Sequence, residues 1–159
     1  MILILLGTQD DPFTRILDAI VENVKNGKIK DHVIAQIGST KYDSTLIETF
    51  DFLPQKELNK YVEAANVIIT HGGVGTIIEC LKMNKKIIAV PRLKKYGEHT
   101  NDHQLQIIAE FTDRKYVIPL YNVDEINDCL KKTESFIPRK YVSNKSKFAK
   151  SIKDIIDME

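Results

Sequence analysis

Residues 67–79 read Val67-Ile68-Ile69-Thr70-His71-Gly72-Gly73-Val74-Gly75-Thr76-Ile77-Ile78-Glu79. The opening apolar run, β-branched throughout, suits a buried strand. Three glycines then fall within four positions, and a helix-like pattern starts near Thr76. Such a strand, turn and helix start form an anion-attracting device. The first N–H groups of a helix lack intrahelical partners, and its dipole places about half a positive charge there. Glycine lets the backbone approach a ligand closely and adopt φ > 0. The pattern is not a dinucleotide fingerprint, because Gly73-Val74-Gly75 is followed by Thr76, Ile77 and Ile78, so the third glycine is missing, and residues ~20 positions on are basic. Thr76-x-x-Glu79 also fits a capping box, with Thr76 as N-cap. The rival role for Glu79 is to accept hydrogen bonds from two ribose hydroxyls.

Outward from this stretch, strands and helices alternate. Strands are expected at residues 2–6, 32–37, 46–52, 67–70, 86–90 and 116–118. Helices are expected to open at Pro12 and to cover residues 57–65, 76–83, 102–111 and 123–130. On the fourth of these, Leu105, Ile108 and Ala109 are expected to face inward. Alternation of this kind implies an α/β fold, a Rossmann-like parallel sheet with helices on both faces. Ligands of such sheets bind beyond the carboxyl ends of the strands. The polar loops 7–12, 71–76 and 92–103 are therefore expected to converge on one crevice. The division drawn is a donor-binding domain over residues 1–137 and a helical tail over 138–159. In the tail, Phe148, Ile152, Ile155 and Ile156 form an apolar stripe among Lys145, Lys147, Lys150 and Lys153. It reads either as a closing helix or as a docking helix for a partner or an anionic membrane surface.

A chain of 159 residues supports a core without staples. A net charge of +1 gives no electrostatic case for nucleic acid. Cys80 and Cys129 do not suggest a disulfide framework, and a reducing cytoplasm fits. The apolar opening, residues 1–7, is too short to span a bilayer and lacks the features of a signal peptide.

His71, His99 and His103 invite a metal reading, the last two being four apart, but the glutamate of HExxH is absent. Hydrogen bonding to phosphate or sugar oxygens suits them better, and a structural role for His71 stays open. The loop Pro91-Arg92-Leu93-Lys94-Lys95-Tyr96-Gly97-Glu98-His99-Thr100-Asn101-Asp102-His103-Gln104 is the second informative stretch. It concentrates hydrogen-bonding groups, and Asn101 and Gln104 each donate and accept, as recognition of sugar hydroxyls requires.

Together these stretches resemble the donor-binding C-terminal half of GT-B glycosyltransferases, the family 28 C-terminal domain. The resemblance extends to the murein-precursor and dolichol-linked N-acetylglucosaminyltransferases. It is closest to the small second subunit of two-component capsular and exopolysaccharide glycosyltransferases. Residues 5–16 look like that family's opening strand and glycine-threonine loop, and residues 50–111 like its core. The resemblance implies a GT-B C-terminal half carrying an added C-terminal helix. It implies Gly7, Thr8 and Gln9 at the donor phosphates and Phe52 and Leu53 at the uracil. His71, Gly72, Gly73, Gly75 and Thr76 would face the diphosphate, Glu79 would hold the ribose, and Asn101, Asp102, His103 and Gln104 would read the sugar. It implies metal-independent transfer with no cofactor beyond the UDP-sugar, and inversion at the anomeric carbon. A membrane-anchored, acceptor-binding glycosyltransferase subunit and a lipid-linked saccharide acceptor are the implied partners, with no nucleic acid. The chain would be cytoplasmic and recruited to the inner face of the membrane through that partner. The catalytic base is unassigned, the partner and His71 being its two possible sources. Galactose is favoured over N-acetylglucosamine on the PRLKKYGEH stretch. A non-catalytic nucleotide-binding or enhancer subunit is the alternative.

Overall fold

The structure, a computed structural model, describes residues 1–142 and 146–157. Its centre is a six-stranded, all-parallel sheet in the order β3-β2-β1-β4-β5-β6. The strands are β1 (Ile2–Leu5), β2 (Val33–Gln36), β3 (Glu48–Phe50), β4 (Val67–His71), β5 (Ile87–Val90) and β6 (Ile118–Pro119). The helices are α1 (Arg15–Lys25), α2 (Gln55–Ala64), α3 (Val74–Lys82), α4 (His103–Asp113), α5 (Ile126–Thr133) and α6 (Ser146–Asp157). Successive strands step outward from β1 in one direction to β3, and then restart on the other side with β4. The order reverses between β1 and β4, and this reversal opens a crevice above their carboxyl ends.

The central strands are apolar throughout because both faces of the sheet are covered. Ile2, Ile4 and Leu6 pack with Ile16, Leu17 and Ile20 of α1 and with Ile126 and Cys129 of α5. Leu3 and Leu5 face the other way, into a core shared with Val62, Ile77, Leu81, Ile108 and Phe111. The two sets alternate along β1 as a period of two requires.

Several local expectations are corrected. Pro12 does not open α1, which begins at Arg15. Phe13 lies before the helix, fully buried, with its N–H donating to Thr40 Oγ1 at 3.1 Å. Thr76 is not the N-cap of α3. That position is Gly73, in extended conformation at φ −78° and ψ 122°, so Thr76 and Glu79 do not form a capping box. On α4, Leu105 is exposed and Gln104, Ile107, Ile108 and Phe111 are buried. The phase of α4 is rotated because a polar residue, Gln104, occupies an inward position. The segment 123–130 starts with a 3-10 turn over Val123–Glu125 before α5.

The tail forms α6, which packs on α4. Phe148 and Ile152 are buried, and the Phe148 ring meets Phe111 edge-on at 5.0 Å. Phe148 and Ile152 of its apolar stripe are thus covered within the domain and Ile155 partly so, while Ile156, Lys147, Lys150 and Lys153 are exposed. Ser143 and Lys145 lie outside the described residues. Among the described residues no helix is long and apolar enough to cross a membrane.

Candidate functional site

The crevice at the strand-order reversal is built by the three loops that the sequence singles out. β1 runs into Gly7, held at φ +82°. β4 extends one residue further than expected, so His71 is still in register with Val90 of β5. Its imidazole fills the space between the two turns. A Cβ on Gly7 would lie 2.6 Å from His71 Cε1, and one on Gly73 would lie 2.6 Å from His71 Nε2. These two glycines are therefore required first by the histidine ring. Gly72 is equally constrained, since a Cβ there would stand 2.8 Å from Gln104 Cβ. Gly75 is different: nothing lies within 4 Å of a Cβ placed on it, and it is exposed in the first turn of α3. That turn carries no carboxylate, which leaves its positive end available to an external anion.

Gln104 ties the β4, β5 and α4 segments together. Its Oε1 accepts from the backbone N–H of Gly72 and of Arg92, each at 2.9 Å, and its Nε2 lies 3.2 Å from His71 Nδ1. Its side chain thus points into the protein rather than outward to a sugar. Asn101 Oδ1 accepts from the His103 N–H, and Asp102 Oδ1 from the Lys94 N–H. These contacts shape the loop at the start of α4. Gln9 reaches the same loop, its amide 3.4 Å from His99 Nε2.

Arg92 is fully buried beneath the loops. Its guanidinium donates to three carbonyls, those of Leu6 at 2.7 Å, Asp11 at 2.7 Å and Glu98 at 3.0 Å. The Glu98 carboxylate, also buried, instead pairs with Arg15 through two hydrogen bonds of 3.0 and 3.2 Å and accepts from the Leu93 N–H. The loop therefore rests on the buried Arg92 and on the Arg15–Glu98 ion pair, and its exposed cations are Lys94 and Lys95.

On the other side of the crevice, Gly7, Thr8, Thr76 and Glu79 line one cavity of ≈130 Å³ with Gln36, Gln55 and Asn59. Phe52 is half-exposed, and its ring edge stands 3.1 Å from where a Gly38 Cβ would be; that Cβ would also meet the Gly7 carbonyl. The Leu53 N–H donates to Gln36 Oε1 at 3.0 Å, which fixes the backbone after β3. Gln36, Gln55 and Asn59 were missed from sequence. Their signals are a lone polar residue ending an apolar strand and two amides at i, i+4 spacing. A larger cavity, about 870 Å³, lies at the opposite end of the sheet beside Ile2 and Val67. Size does not make it the site, because the strand carboxyl ends and the glycine turns are elsewhere. Among the described residues no group of three or more His, Cys, Asp or Glu side chains is placed to hold a metal ion.

Burial, then the positive charge of Arg92, then His99, hold His71 down at about 3 from its usual 6.5. Its ring is neutral at physiological pH. The unfolded chain takes up this proton near pH 6.5 and the folded chain only near 3. Stability is therefore intact above the unfolded value and falls with pH between the two, by about 1.4 kcal/mol per pH unit from this group. Urea midpoints measured from pH 7 to 4 are expected to show this acid limb, and His71→Gln should flatten it. An equally steep limb in the variant would assign the loss to other groups.

The profile of the glycosyltransferase family 28 C-terminal domain matches residues 1–158. A UDP-N-acetylglucosamine transferase subunit, ALG13 of Candida albicans, is 35% identical over 89 residues, covering 56% of this chain and 29% of that protein. The match spans less than a third of that relative's length. The NMR structure of an ALG13 has a TM-score of 0.60 at 17% identity, covering 95% of this chain and 94% of that one. The calicheamicin glycosyltransferase CalG4 has a TM-score of 0.58 at 15% identity, covering 98% of this chain and 38% of that one. The structural likenesses speak to fold, the Rossmann-like GT-B half with its C-terminal helix. With the family match spanning nearly every residue, the chain belongs to the glycosyltransferase family 28 C-terminal domain family.

Proposed function

We propose that this chain binds the UDP-sugar of a two-component inverting glycosyltransferase. A membrane-anchored partner supplies the lipid-linked saccharide acceptor, in capsular or exopolysaccharide synthesis. The observation that carries the reading is the meeting of Gly7, Thr8, Thr76 and Glu79 around one cavity, beside the open first turn of α3. Glu79 is exposed on α3, one turn beyond the helix start, and offers a carboxylate to the ribose hydroxyls. The helix N-terminus and the buried Arg92 charge offset the charge that develops on the departing diphosphate, with no metal required. The sugar is placed towards α4, near Asn101, Asp102 and His103, while Gln104 supports the site from below.

Two details are refined. The galactose preference rested on the PRLKKYGEH stretch. Its Arg92 and Glu98 are turned inward onto carbonyls and Arg15, so neither reads a sugar. The Candida albicans relative is a UDP-N-acetylglucosamine transferase subunit, which favours N-acetylglucosamine as the transferred hexose. The partner is also the favoured source of the catalytic base, because the His71 ring is buried and resists protonation.

Calorimetric titration with UDP, UDP-N-acetylglucosamine and UDP-galactose tests the reading. Saturable binding without added metal is expected. Glu79→Ala should weaken it about 10–100-fold, the value of one or two hydrogen bonds to a charged group. Unchanged affinity in Glu79→Ala would reject the ribose assignment. Full stimulation of the partner by the same variant would point instead to a non-catalytic subunit.

A further inference from the structure

The protonation state of His71 follows from its neighbours. Two backbone N–H groups, of Gly72 and Arg92, converge on one end of the Gln104 amide at 2.9 Å. Only an oxygen can accept from both, so that end is Oε1 and the amide orientation is chemically assigned. The other end is an NH₂ group, and it lies 3.2 Å from His71 Nδ1. An NH₂ group donates and does not accept, so Nδ1 carries the lone pair. A neutral imidazole with its lone pair on Nδ1 bears its proton on Nε2. A charged ring would set an Nδ1 proton against the NH₂ hydrogens, donor facing donor. Nε2 lies between the Gly7 and Gly73 turns, and among the described residues no protein group accepts its proton.

We infer that Gln104 is a positioning residue that fixes His71 as the neutral Nε2–H tautomer, making it an obligate hydrogen-bond donor to an anionic oxygen in the β1–β4 crevice. The ligand class is a phosphate oxygen, which accepts from a neutral N–H beside the free N–H groups of the α3 first turn. The tautomer stands on the hydrogen-bond geometry alone, and the choice of a UDP diphosphate as the anion rests on the donor-site reading above. The arrangement leaves the ring's one basic lone pair, on Nδ1, held by the Gln104 amide, and none on Nε2 with which to deprotonate an acceptor hydroxyl. It also accounts for Gly7 after β1 and Gly73 after β4 as the two seats for the ring.

The test is ¹⁵N-edited long-range NMR of the histidine rings in the full chain at pH 7. His71 is expected to show a protonated Nε2 and an unprotonated Nδ1. A ring protonated on Nδ1, alone or together with Nε2, would overturn the inference. Gln104→Glu keeps an oxygen for Gly72 and Arg92 and turns the second oxygen, an acceptor, towards Nδ1. The His71 Nδ1 is then expected to gain a proton, and an Nδ1 left bare in the folded variant would refute control by residue 104. Should that variant not fold, the wild-type spectrum decides by itself. Addition of UDP to the wild type is expected to shift the Nε2–H resonance downfield. If UDP binds calorimetrically but leaves that resonance in place, the proposed role as anion donor is overturned. If UDP does not bind at all, the donor-site reading and the anion assigned here fall together while the tautomer assignment stands.

Discussion

Arg92→Met is expected to destabilise the chain by about 3–5 kcal/mol, because it leaves two buried carbonyls and one partly buried carbonyl without this donor at about 1–3 kcal/mol each, partly relaxed. The carbonyls are those of Leu6, Asp11 and Glu98, and all lie on loops that build the crevice. Methionine retains most of the side-chain volume over the Phe13 ring, which lies 5.0 Å from the Arg92 guanidinium, so a cavity contributes little. A domain of this size has roughly 5–15 kcal/mol in total, and the variant would lose a large share of it. With an m-value near 2 kcal/mol/M, the urea midpoint should fall by about 2 M. Arg92→Lys tests the physical cause. It keeps the charge but cannot reach three acceptors with one rigid fork, so an intermediate loss is expected. A loss below about 1 kcal/mol in Arg92→Met would show that water replaces the guanidinium at all three carbonyls, and the argument would fail.

The consequence for the site runs through one peptide group. Arg92 Nη2 donates to the Leu6 carbonyl, and the other end of that peptide is the Gly7 N–H. A cation on the carbonyl polarises the amide and strengthens its N–H as a donor. Among the described residues no carboxylate lies within ion-pair distance of Arg92, Glu98 being paired with Arg15, so its charge is felt across the crevice floor. The same charge helps to keep His71 neutral. Stability and donor-site electrostatics are therefore coupled through this residue.

The fold was legible because its signals are local. Residues 2–6 and 67–70 are apolar runs too short for helices, and the loops after them carry the glycines, so the parallel sheet and its crevice could be placed. Strand order was not read from the sequence: β2 and β3 follow one another with no helix between them, and the order β3-β2-β1-β4-β5-β6 comes from the structure. The interior polar residues were not legible in the same way. Gln104 is assigned to the sugar from sequence because its amide both donates and accepts, yet its partners Gly72 and His71 lie 32 and 33 positions away and hold it inward. Arg92 and Leu6 are 86 positions apart. Periodicity reads one helix or strand at a time and carries no information on such pairs. The same blindness gave α4 its wrong phase and hid that Arg92, Glu98 and Gln104 of the segment after β5 turn inward. Thr76-x-x-Glu79 failed for another reason: the spacing of a capping box was present, but Gly73 had already taken the cap three residues earlier.

Two glycines of the loop are expected to respond to alanine with opposite signs. At Gly73 an added Cβ would run into the His71 ring, 2.6 Å from Nε2, and alanine is a poor N-cap. The backbone there, φ −78° and ψ 122°, is open to any residue, so conformational strain does not enter. Overpacking and cap loss together should make Gly73→Ala less stable by about 2–4 kcal/mol. Gly75 sits inside α3 with open space around its Cα, and Gly75→Ala should stabilise the free chain by about 0.5–1 kcal/mol through helix propensity. If the open first turn receives a diphosphate, the same methyl group obstructs it, and UDP affinity should fall while the melting temperature rises. Thermal unfolding and UDP titration of both variants separate the two roles of glycine here, one seating a side chain and the other leaving room for a ligand. A Gly73→Ala protein as stable as the parent would mean that the His71 ring can move aside, and with it the proposed alignment of Nε2. A Gly75→Ala protein that binds UDP with unchanged affinity would place the diphosphate away from the α3 N-terminus.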